Sequence, residues 1–73
     1  MSRRLPVVDG ADLVRAFERL GWTRLRQSGS HVRLELHGEH VTIPLHKPLR
    51  RGTLAALIDA AGISADHLRE LLR

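Results

Sequence analysis

Two hydrophobic rhythms divide this 73-residue chain. Leu13, Val14, Phe17 and Leu20 recur at helical spacing, with Arg15, Glu18 and Arg19 elsewhere on the wheel. Asp9 is the expected N-cap, Asp12 an acidic first turn, and Gly21 the stop in a left-handed conformation. The rhythm then drops to two. Val32, Leu34 and Leu36 alternate with His31, Arg33 and Glu35, and Val41, Ile43 and Leu45 alternate with Thr42, Pro44 and His46. Ser28-Gly29 and Gly38-Glu39 are the expected turns, separating strands over 22–27, 30–37 and 40–46. Past Lys47-Pro48, Thr53 is the expected cap of a helix carrying Leu54, Leu57, Ile58 and Ala61 and ended by Gly62. Ser64 then caps a further turn or two with Leu68, Leu71 and Leu72. A helix, three antiparallel strands and a broken helix make a single α+β domain over 1–73, with its helices on one face of a three-stranded sheet.

The turns imply a register. With Gly38-Glu39 as one loop, His31 faces His46, Arg33 faces Pro44 and Glu35 faces Thr42. With Ser28-Gly29 as the other, Arg26 faces His31 and Arg24 faces Arg33. Both place Leu25, Val32, Leu34, Leu36, Val41, Ile43 and Leu45 on one face. The other face then collects Arg24, Arg26, His31, Arg33, Glu35, Thr42, Pro44 and His46. Trp22 fits either the polar side or the end of the first helix, and Pro44 suits an edge strand.

Charge sharpens the picture. Twelve basic residues against eight acidic leave a formal charge of +4, and Lys47 is the single lysine among eleven arginines. Arg24, Arg26, Arg33, Lys47, Arg50 and Arg51 meet only Glu35 and Glu39 within 22–52, so that segment carries the whole excess. Clustered guanidinium forks suit oxyanions, phosphate above all. The bland alternative is a solvated face that keeps a small protein dissolved. Cysteine is absent, which excludes a disulfide framework, a thiolate nucleophile and a cysteine zinc site. Apolar runs are only a few residues long, too short for a membrane span or a signal peptide, so a cytoplasmic protein is expected.

Five histidines raise the question of a metal. His37 and His40 flank a turn with only Glu39 nearby, short of three protein ligands, and no metal or other cofactor is expected. His67 reads as a surface residue. His31 follows Ser28-Gly29-Ser30 with Arg26 and Arg33 beside it. Imidazole can both take and give a proton near neutrality, and flanking arginines can stabilise charge developing at a phosphodiester. Glu35 is the lone carboxylate there, no pair for magnesium. The chemistry therefore points to RNA, whose own 2′-hydroxyl can attack. On residue types alone, such a histidine is more often a plain surface group.

A resemblance changes that weighting. Leu5-Pro6-Val7-Val8 with Gly10, Leu20-Gly21-Trp22 and Arg26-Gln27-Ser28-Gly29-Ser30-His31 are followed by Val41-Thr42-Ile43-Pro44-Leu45-His46. Next come Arg51-Gly52-Thr53-Leu54, Ile58 and Ala61-Gly62-Ile63-Ser64. This ordered set, spanning Leu5 to Leu72, resembles the HicA toxins of toxin–antitoxin modules. The resemblance implies a double-stranded-RNA-binding-domain-like α-β-β-β-α fold. It also implies a metal-independent ribonuclease acting on messenger RNA, with a HicB-like antitoxin as partner, and it assigns the functional histidine to His31. The chain departs from the family in a short strand 2–3 turn and in Arg51, where lysine is common. Ser30 and His46 are the candidates to assist His31, the plainer role for His46 being to order the exit of the third strand or to help orient His31. Arg24, Arg26, Arg33, Lys47, Arg50 and Arg51 are the candidate RNA contacts. The rival readings are a non-catalytic RNA-binding module and a domain whose basic face meets an acidic protein.

Overall fold

The computed structural model describes residues 4–73. In chain order the elements are α1 (Gly10–Arg19), β1 (Thr23–Ser28), β2 (His31–Leu36), β3 (Glu39–Pro44), α2 (Arg51–Ala61) and α3 (Ala65–Leu71). The expected α+β order of helix, three antiparallel strands and helices is therefore what the chain adopts. The sheet runs β1-β2-β3, so Pro44 does sit on an edge strand.

Each helix end has a local cause. Asp9 is the N-cap of α1 by position, but its backbone carbonyl, rather than its carboxylate, accepts from the Asp12 and Leu13 amides. At the other end the Trp22 amide donates to the Phe17 carbonyl and the Gly21 amide to that of Glu18, with Gly21 at φ +105°. This pair of bonds is the Schellman pattern, which places the residue after the glycine against the helix's last turn. Trp22 accordingly stacks on Phe17 at 5.3 Å between ring centroids, and both are buried. That settles the two options for Trp22: it closes the end of α1. Gly62 ends α2 in the same way, the Ile63 amide donating to the Ile58 carbonyl. Ser64 caps α3 through its hydroxyl, which accepts from the His67 amide at 3.0 Å. Thr53 is not a cap. Buried Leu49 anchors the chain earlier, so Arg50 becomes the N-cap and α2 begins at Arg51.

The strand register differs from the expectation by one pleat period. The β2–β3 loop is His37-Gly38, both at positive φ as in a type I′ turn, so Leu36 pairs with Glu39 and His31 with Pro44. The β1–β2 loop is Gly29-Ser30, and Ser28 pairs with His31. Shifting a partner by two residues leaves every side chain on its own face, which is why the apolar face survives. Val32, Leu34 and Ile43 are fully buried and Val41 nearly so, while Leu36 and Leu45 pack at the margin.

Strand β1 departs further. Between Arg24 and Arg26 the register slips by one, leaving Leu25 as a bulged extra residue. Leu25 is thus 47% exposed instead of buried, and Arg24 turns to the helix-facing side. No residue of β1 is buried. The helices pack chiefly over β2 and β3, where Leu13, Phe17, Leu54, Ile58 and Leu68 join the strand residues in one core. The N-terminal strap is tied across this edge, the Leu49 amide donating to the Val8 carbonyl and the Gly10 amide to that of His46.

Candidate functional site

With the helices on one side, the other face of the sheet is open. The pairings bring Arg26 directly opposite Arg33, and Arg33 opposite Thr42 on its other flank. His31 stands between Ser28 and Pro44 in the adjoining row. Arg26, Ser28, His31, Arg33 and Thr42 line a shallow cleft of about 200 Å³. All five are exposed, and none of these side chains has a hydrogen-bond or ion-pair partner among the described residues. The cleft therefore offers one imidazole, two guanidinium groups and two hydroxyls to a ligand from outside.

The candidate residues divide clearly. His31 and Arg33 share the open face as the alternation requires, and Arg26 joins them, set opposite Arg33 rather than opposite His31. Arg24 leaves them: its Nε lies 3.4 Å from the Glu18 carboxylate on α1. Lys47, Arg50 and Arg51 are exposed along the exit of β3 and the start of α2, away from the cleft lining. His46 is not across from His31, because Pro44 holds that place; His46 lies two residues further on, past the end of β3. Ser30 is in the turn, its carbonyl accepting from the Leu45 amide at 2.7 Å. Ser28 and Thr42 are the cleft residues that sequence reasoning misses. Thr42 falls on the expected open face but carries no chemical signal of its own. Ser28 is hidden by its assignment to the turn, and moving the loop one residue along reveals it.

His37 and His40 are exposed beside the β2–β3 turn. No group of three His, Asp or Glu side chains among the described residues is placed to hold a metal ion. No helix among the described residues is long and apolar enough to cross a membrane.

Fold and site together define a small α-β-β-β-α protein that displays an arginine-flanked histidine on its open sheet face. Residues 10–63, well over half the chain, match the family model described as HicA toxin of bacterial toxin-antitoxin, and the chain belongs to that family. It is thus the toxin of a toxin–antitoxin system, with an antitoxin as its implied partner. Neither the curated proteins nor the solved structures contain a significant match.

Proposed function

We propose that this toxin is a metal-independent endoribonuclease that cleaves messenger RNA, with His31 as its catalytic residue. The observation that carries the reading is the convergence of His31, Arg26 and Arg33 on one exposed cleft with no carboxylate among its lining residues. In the proposed reaction the RNA 2′-oxygen bonds to the adjacent phosphorus while the bond from phosphorus to the 5′-oxygen breaks. The products are a 2′,3′-cyclic phosphate and a 5′-hydroxyl. A base takes the 2′-hydroxyl proton and an acid supplies one to the departing oxygen. One imidazole cannot be both at the same instant, so water or a neighbouring hydroxyl shares the work. Ser28 and Thr42 line the cleft for that role, whereas Ser30 and His46, the candidates from the sequence, are not among its lining residues. Arg26 and Arg33 counter the charge that grows on the phosphate. Lys47, Arg50 and Arg51 extend the basic path for the rest of the strand.

The antitoxin in this reading is HicB-like and covers the His31 face with acidic or apolar groups, so that RNA is shut out. A complex that left His31, Arg26 and Arg33 open to solvent would remove direct occlusion from the account.

The deciding experiment incubates purified protein with RNA in EDTA, wild type beside His31→Ala. Cleavage by wild type alone, with cyclic-phosphate ends, supports the proposal. Cleavage of DNA, 3′-hydroxyl ends, dependence on a divalent ion, or full activity in His31→Ala rejects it. RNA binding without any cleavage would favour a non-catalytic binding module.

A further inference from the structure

The bulge in β1 has a directional effect on charge. Thr23 and Arg24 pair with Glu35 and Leu34, whereas Arg26, Gln27 and Ser28 pair with Arg33, Val32 and His31. Had the first register run on without a break, Leu25 would face Arg33, and Arg26 would face Val32 on the helix side. The extra residue reverses this. Arg24 keeps its place toward Glu18, and Arg26, only two residues later, emerges on the opposite face beside Arg33. Bulges next to functional clefts commonly re-aim a side chain in this way.

The arrangement is costly for folding alone. It leaves Leu25 47% exposed and sets two like charges directly across a strand pair, where they repel. Arg15, Arg24, Arg69 and Arg73 each pair with a carboxylate, but Arg26 and Arg33 have none within ion-pair distance among the described residues. Glu35, the other charged open-face residue of β2, bridges to neither. Two guanidinium forks rooted on directly opposed residues and lining one cleft, with no paired carboxylate among the described residues, form a place that a bound anion would complete. The hydroxyls of Ser28 and Thr42 line the same cleft.

We infer that Arg26 and Arg33 form a single seat for one phosphodiester of an RNA strand, held over His31, and that the Leu25 bulge assembles it. The strand's identity rests on the ribonuclease reading above; the seat itself does not require cleavage. A phosphate has two non-bridging oxygens, and a fork on each side binds it with directional, charge-assisted hydrogen bonds while cancelling the repulsion between the forks.

The test measures binding of an RNA oligonucleotide fully methylated at its 2′-hydroxyls, which cannot be cut. The proteins are wild type, Arg26→Gln, Arg33→Gln, the double variant and Arg33→Lys, each also unfolded thermally in phosphate-free buffer. A single seat predicts that either glutamine variant weakens binding roughly tenfold to a hundredfold, the scale of charge-assisted hydrogen bonds. The double variant should lose little more than either single one, because the seat is already broken. Arg33→Lys, which keeps the charge without the fork, should also bind weakly. The glutamine variants should unfold at or above the wild-type temperature, since repulsion is relieved. Losses that multiply in the double variant would mean two independent surface charges and overturn the seat, as would wild-type affinity in either single variant. Variants that bind RNA normally but lose the antitoxin would assign the pair to an acidic protein surface and likewise overturn it. Wild type that binds through the pair yet never cleaves RNA upholds the seat and rejects the ribonuclease. Glutamine variants that both bind and cleave like wild type do the reverse.

Discussion

Gly10 sits against Pro44 so closely that a β-carbon at position 10 would overlap the Pro44 carbonyl oxygen and lie 2.8 Å from the Leu45 Cα. The Gly10 amide also donates to the His46 carbonyl at 2.9 Å. The first residue of α1 is therefore pressed onto the exit of β3, and the obstacle is rigid backbone. This close approach sets the distance between helix layer and sheet at the end where His31 pairs with Pro44.

Gly10→Ala should consequently destabilise the fold. Overpacking of this kind costs about 1–3 kcal/mol, and more where backbone must yield. In a domain of this size each kcal/mol lowers Tm by roughly 4–8 °C. Thermal unfolding of Gly10→Ala beside the exposed control Gly52→Ala checks this. Equal losses in the two would reject close packing at Gly10 as the cause.

Trp22→Ala should lose about 3–5 kcal/mol, because it empties the space against Phe17 and removes the apolar cover closing α1. Against a total of about 4–11 kcal/mol for a domain of this length, that loss removes between about a quarter and all of the stability. Trp22→Phe retains a ring against Phe17 and should lose much less. Urea titrations followed by circular dichroism separate the two. A mild loss for alanine would mean that the ring pair carries little of the packing.

Arg24 and Arg26 should behave oppositely although they are two residues apart. Arg24→Ala breaks a partly exposed pair with Glu18, worth up to about 1 kcal/mol, and should leave RNA affinity nearly unchanged. Arg26→Ala should weaken RNA binding without loss of stability. Arg50→Ala/Arg51→Ala should weaken it too and flatten its salt dependence, since a complex that neutralises fewer phosphates releases fewer counterions. Titrations from low to physiological salt test all three together. A larger binding defect in Arg24→Ala than in Arg26→Ala would contradict the opposed facing of these two side chains.

His31→Ala should fold like wild type, because the imidazole is exposed and holds no hydrogen bond among the described residues. It should lose cleavage by about 10²–10⁴-fold or beyond detection, the range for a positioned acid or base. His46→Ala should lose far less, since Pro44 rather than His46 stands opposite His31. Replacing the 2′-hydroxyl at the cut site by hydrogen should stop the reaction in every variant. Initial rates on a short labelled RNA, with melting curves as the folding control, measure these effects. Comparable defects in the two histidine variants would return His46 to a direct part in proton transfer.

The alternation of Val32, Leu34, Val41 and Ile43 determined by itself which side of β2 and β3 is buried, and so put His31 and Arg33 on the open side. Gly21, Gly62 and Ser64 likewise marked helix boundaries through local bonds alone. These features are legible because each depends on a period or on a few neighbouring residues. Pairing across strands is different. Moving a partner by two residues preserves the apolar face intact, so nothing in the spacing distinguishes His46 from Pro44 as the neighbour of His31. Only the closed turns, with His37 and Gly38 at positive φ, decide it. The bulge at Leu25 is still less visible, because Thr23–Ser28 has no buried side chain to hold its phase. An edge strand without a buried stripe takes its facing from what surrounds it. Here Trp22 is fixed on α1 at one end, the Gly29-Ser30 turn is fixed at the other, and the strand between them is one residue too long to run straight.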